Sequence, residues 1–145
     1  MRILVCIFIL TTLLNANNLE KGFSKLNTEQ MAEVLAKMIN KQLPIRLDEI
    51  TVAKETFFEG KTYGLRKYFI PENEKVAKDF RPYLTSELYE KQSFYNLMKK
   101  SEVTNMCKSN LVRIFLNKSG IVRVDYYNED EENVLFILLN KNDCK

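Results

Sequence analysis

The chain has 145 residues, a formal net charge of +3, 46% hydrophobic and 11% aromatic residues, and only 4 Gly and 3 Pro. It can build a core, which excludes wholesale disorder. The absence of histidine closes Ser/His/Asp triads, Cys/His dyads and His-bearing zinc sites, and the even mixing of lysines with acids leaves no basic stripe for nucleic acid.

Met1-Arg2 gives a short positive start, followed by the apolar run Ile3 to Leu14 and then Asn15-Ala16. This is the shape of an export signal, with cleavage expected after Ala16; residues 17–145 then form a single domain of charge +2. A retained membrane anchor is the weaker reading of this run, because twelve helical residues reach roughly 18 Å against a hydrocarbon core of about 30 Å. Cys6 lies inside it without the Leu-small-small pattern of a lipoprotein processing site. Two cysteines remain, Cys107 and Cys144, and in an oxidising compartment such a pair is expected to form a structural disulfide.

Asn17 to Lys25 is polar and reads as a loose lead-in. A helix then starts where Asn27 can cap, Gln30 can close a capping box and Leu26 can staple onto Met31. Its apolar stripe is Met31, Val34, Leu35, Met38 and Ile39, and Pro44 follows its end. Thr51 to Phe58 and Lys61 to Ile70 predict a β-hairpin turning at Glu59-Gly60, although Lys54 interrupts the Ile50, Val52, Thr56, Phe58 face. Pro71 to Pro82 reads as a charged connector, and a second long helix is expected from a Ser86 cap to about Met106. Leu111 to Leu116 fits either a strand or a short helix capped by Ser109 and ended by Gly120.

Ile121 to Tyr127 alternates as a half-buried strand, and Val134 to Leu139 is apolar on both faces. The acidic linker Asn128 to Asn133 lacks the arrangement of a calcium loop and reads as a solvated turn, so no metal and no other cofactor is expected. Since one helix layer covers only one face of a sheet, half of the last strand needs another cover. Leu135, Ile137 and Leu139 are the residues expected to meet a partner. Asp125 with Tyr127 could be named as an acid and base, but their spacing is that of any strand face, and no enzyme is expected.

Cys107, Leu111, Arg113, Ser119-Gly120-Ile121-Val122, Tyr126-Tyr127 and Asp143-Cys144, preceded by Ile39-Asn40-Lys41-Gln42-Leu43-Pro44-Ile45, Ile50-Thr51-Val52 and Gly60, form an ordered set. It resembles small exported bacterial proteins that include the beta-type pilotins of type II secretion. The resemblance implies an α+β domain with the N-terminal helix on a four-stranded antiparallel sheet, a second helix, a short helix at Leu111 to Leu116 before the last two strands, and a Cys107–Cys144 disulfide. It also implies a periplasmic, non-catalytic factor that holds a protein or peptide segment of the cell envelope, in the pilotins a segment of a secretin. The pilotin escort role goes with a lipidated cysteine after the signal, and none stands there, so a soluble relative is expected. The competing expectation is an exported inhibitor or immunity-type protein that acts on an enzyme through tips such as Glu59-Gly60 or Glu129 to Asn133.

Overall fold

The computed structural model describes residues 16–145, so the export signal expected at residues 1–16 lies outside the described residues but for Ala16. Helix α1 (Ala16–Ser24) occupies the stretch expected to be a loose lead-in. Leu19 and Phe23, one turn apart, give an otherwise polar segment a narrow apolar edge, and Phe23 is buried against the core. The Asn110 amide donates to Glu20 at 3.0 Å, and Lys118 Nζ donates to the carbonyls of Ser24 and Leu26.

Helix α2 (Thr28–Asn40) begins as its residues dictate. Asn27 Oδ1 accepts from the Gln30 amide at 2.9 Å, and Gln30 Oε1 accepts from the Asn27 amide at 3.1 Å. Met31, Ala32, Leu35 and Ala36 are buried beneath it. Thr56 Oγ1 donates to the Ala36 carbonyl at 2.7 Å and ties the helix to the sheet.

The sheet has five strands in the order β1 (Ile45–Arg46), β2 (Thr51–Glu59), β3 (Thr62–Phe69), β4 (Ile121–Tyr127) and β5 (Asn133–Leu139). The α+β class stands, but the four-stranded antiparallel sheet does not: β1 adds a short fifth strand and β3 pairs with β4 in parallel. A chain leaving β3 and returning through a helical crossover re-enters the sheet in the same direction, whereas a tight turn would have reversed it. The predicted hairpin turns at Gly60, whose φ of +52° in a two-residue loop suits glycine at the first central position. Lys54 falls where the β2–β3 register slips between Ala53 and Glu55. This bulge splits the supposed Val52, Thr56, Phe58 face between the two sides of the sheet.

The crossover carries α3 (Glu74–Phe80), a 3₁₀ turn (Arg81–Tyr83), α4 (Ser86–Tyr89), α5 (Gln92–Met106) and α6 (Asn110–Asn117). The charged connector thus contains a helix, capped by Asn73. The single long helix expected from Ser86 is two, with Thr85 as the cap of the first and an extended Lys91 between them. The break sets the Tyr89 ring between Phe69 and Phe94, at 6.1 and 5.7 Å between centroids. Leu111 to Leu116 is helical, as the pilotin resemblance implied. Its end is a Schellman motif in which the Gly120 amide donates to the Phe115 carbonyl and the Ser119 amide to that of Leu116. The left-handed residue is Ser119, at φ 64°, and not the expected Gly120.

One core joins these elements, with Met31 and Leu35 of α2, Phe115 and Leu116 of α6, Val122 and Val124 of β4, and Ile137 and Leu139 of β5. It lies on the helix side of the sheet.

Candidate functional site

The doubly apolar strand β5 divides by parity. Leu135, Ile137 and Leu139 are 9%, 0% and 0% exposed, whereas Phe136 and Leu138 are 50% and 42% exposed and Val134 is half-buried. The partner surface expected at Leu135, Ile137 and Leu139 is therefore corrected: these three are core, because the helices cover their face. Alternation alone defined both sets, but not which set the helix layer would choose.

The outward set meets β4 residues that sequence reasoning had not singled out. Leu138 pairs with Arg123 and Phe136 with Asp125. The Arg123 guanidinium lies 5.3 Å from the Phe136 ring centroid, and its Nε donates to Asp125 Oδ1 at 2.7 Å. Ile121, also outward and 38% exposed, extends the patch. Three of the large apolar side chains exposed among the described residues thus surround one arginine on the face away from the helices.

The remainder of that face is self-covered. Tyr68 of β3 stacks on Tyr127 of β4 at 4.8 Å, and Lys54 Nζ sits 4.0 Å over the Tyr68 ring. Arg66 lies 5.1 Å from the Phe57 ring and donates to Glu55 at 2.8 Å. Phe57 in turn covers Gly64, where any Cβ would come within 2.1 Å of the ring. Burial, then the nearby Glu55 carboxylate, holds the Tyr68 hydroxyl above its ordinary pKa. Among the described residues of that face, the exposed large apolar side chains lie at the β4–β5 end.

Asp125 and Tyr127, the pair an acid–base reading would use, are engaged separately, Asp125 buried against Arg123 and Tyr127 stacked on Tyr68. The acidic tip after β4 is braced by cations: Arg81 Nε donates to Glu129 at 3.1 Å, and Lys54 lies 3.7 Å from Glu131. Cys107, the C-cap of α5, is joined to Cys144 by a disulfide with Cα atoms 5.3 Å apart, as both the cysteine pairing and the resemblance implied. Among the described residues no group of three or more potential metal-ligating side chains gathers, and no helix is long and apolar enough to cross a membrane.

This α+β arrangement, helices over one face of a five-stranded mixed sheet, is shared with solved structures. Among solved structures, the pilotin EpsS of the Vibrio vulnificus type 2 secretion system shares it with a TM-score of 0.61 at 14% identity, over 86% of this chain and 97% of its own. The type II secretion pilotin AspS of Vibrio cholerae gives 0.58 at 15% identity over 86% and 98%. A Pseudomonas aeruginosa protein described as secreted gives 0.61 at 14% identity over 81% and 93%. No family model and no curated protein matches the chain. The likeness extends over nearly the whole of each neighbour, and it agrees with the pilotin resemblance of the sequence.

Proposed function

We propose that residues 1–16 export this chain and that residues 17–145 act as one periplasmic, non-catalytic binding domain in a pilotin-like role, holding a segment of an envelope protein such as a secretin. The observation that carries this reading is the shared fold with two type II secretion pilotins across 86% of the chain. The open patch of Ile121, Phe136 and Leu138 around Arg123 supplies a surface suited to it. An apolar strand or helix edge seated there would gain from burying these three exposed side chains, while Arg123 would orient a carboxylate or backbone carbonyl.

A photocrosslinking residue at Leu138, expressed in the exporting cell, tests the reading against the same residue at Leu97, which is exposed on α5. Crosslinking of a secretin from Leu138 and not from Leu97 is expected. Capture of an enzyme instead would support the inhibitor reading, and equal yields from both positions would remove the patch as the site.

A further inference from the structure

The residue that α5 buries most deeply is a carboxylate. Glu102 is 1% exposed, and it is the one buried residue of the helix. Phe94, Tyr95, Met98, Val103 and Met106 pack against the core only partly covered. Glu102 Oε1 accepts from Lys67 Nζ of β3 at 2.5 Å and from the Tyr126 hydroxyl of β4, while Oε2 is buried with no hydrogen-bond partner among the described residues. Lys67 is itself 5% exposed. Both charges stand at positions where the apolar pattern of their element calls for a hydrophobic residue.

We infer that α4 and α5 form a strap that lifts from the sheet as a unit while the rest of the fold stays closed, hinged at the Cys107–Cys144 disulfide. Attraction within a buried ion pair is largely offset by the loss of hydration, so opening the strap returns two ions, and the unpartnered Oε2, to water. The half-covered apolar residues of α5 resist that opening less than the fully buried Met31 and Leu35 hold α2. Anchoring is also uneven along the strap. Its C-terminal end is tied by the disulfide, and the middle of α5 by Lys99 to Asp143 at 3.1 Å. Its leading end rests on the Tyr89–Phe69 stack, and α5 starts without a side-chain cap. Lifting it uncovers Lys67 beside the stacked rings of Phe69 and Tyr126, 5.3 Å apart.

Hydrogen exchange followed by mass spectrometry on the full chain tests the strap. Amides of α4 and α5 should exchange together and about tenfold or more faster than those of α2, β3 and β4. Replacing the three polar partners by apolar ones, Lys67→Met with Glu102→Leu and Tyr126→Phe, should slow exchange in α5 by about tenfold and leave α2 unchanged. Protection of α5 equal to that of β3 and β4 in the unmodified protein overturns the proposal even if the triple variant does not fold. So does a folded triple variant whose α5 exchanges as fast as before.

Discussion

Tyr68 and Tyr127 stack face to face across the parallel junction of β3 and β4, on the side of the sheet that the helices leave open. Stacked aromatic pairs contribute beyond their buried area. A double-mutant cycle with Tyr68→Leu and Tyr127→Leu, read by chemical denaturation, should give a coupling of about 0.5–1.5 kcal/mol. A coupling near zero would mean that the rings are merely adjacent.

The two faces of β5 should answer differently to substitution. Ile137→Ala should cost about 2–5 kcal/mol because it opens a cavity in a closed core. Leu138→Ser should stay within about 0.5 kcal/mol of the parent while weakening capture of the segment proposed to bind there. Equal losses of stability at both positions would show that the outward face is covered.

Cys107→Ser should cost about 2–5 kcal/mol, and a thiol count on the native protein should find neither Cys107 nor Cys144 free. Two reactive thiols in that protein would remove the crosslink from the fold's stability.

At the end of α6, Gly120 lies beneath a ring that cannot retreat. A Cβ there would stand 2.4 Å from Cε2 of Phe115, which is 0% exposed. Gly120→Ala should therefore lower stability by about 1–3 kcal/mol through overpacking. Ser119→Gly, one residue earlier, should raise it by up to about 1 kcal/mol by relieving a left-handed non-glycine residue. Thermal melts of the two variants should move in opposite directions.

Alkaline pH should weaken the protein through two buried phenols. Burial first, and the Glu102 carboxylate second, hold the hydroxyls of Tyr63 and Tyr126 neutral well above the ordinary tyrosine value of about 10. Because the folded pKa is the higher one, their contribution is complete below about pH 10 and is lost as pH rises towards the folded value. Denaturation of Tyr63→Phe should show a shallower fall in stability above about pH 10 than the parent. Parallel pH profiles would exclude Tyr63 as a source of the loss.

Much of this architecture was legible because the signals were local. Asn27, Gln30 and Met31 specify the start of α2 within five residues, and Gly60 marks the hairpin by its own backbone freedom. Lys54 looked like a flaw in the alternation and is in fact the bulge. What could not be read was relational. Nothing within Val134 to Leu139 says which side the helices will take, and nothing near β4 says that its neighbour will run in parallel. The pairing of Lys67 with Glu102 was not read from the sequence, although a lysine in phase with Tyr63, Leu65 and Phe69 and a glutamate in phase with Met98 and Met106 are two anomalies, each needing the other.

The parallel pairing of Thr62 with Ile121 through Tyr68 with Tyr127 is a seam between two locally closed units, β1–β3 and β4–β5. Each unit zips through nearby residues, whereas the seam joins only after the whole helical crossover has been gathered, so its closure carries the largest entropic cost. Substitutions across the seam, such as at Leu65 or Val124, should therefore slow folding, whereas changes at the hairpin tips should chiefly speed unfolding. Until the crossover has been gathered, the facing edges of β3 and β4 stand unpaired and open to other molecules.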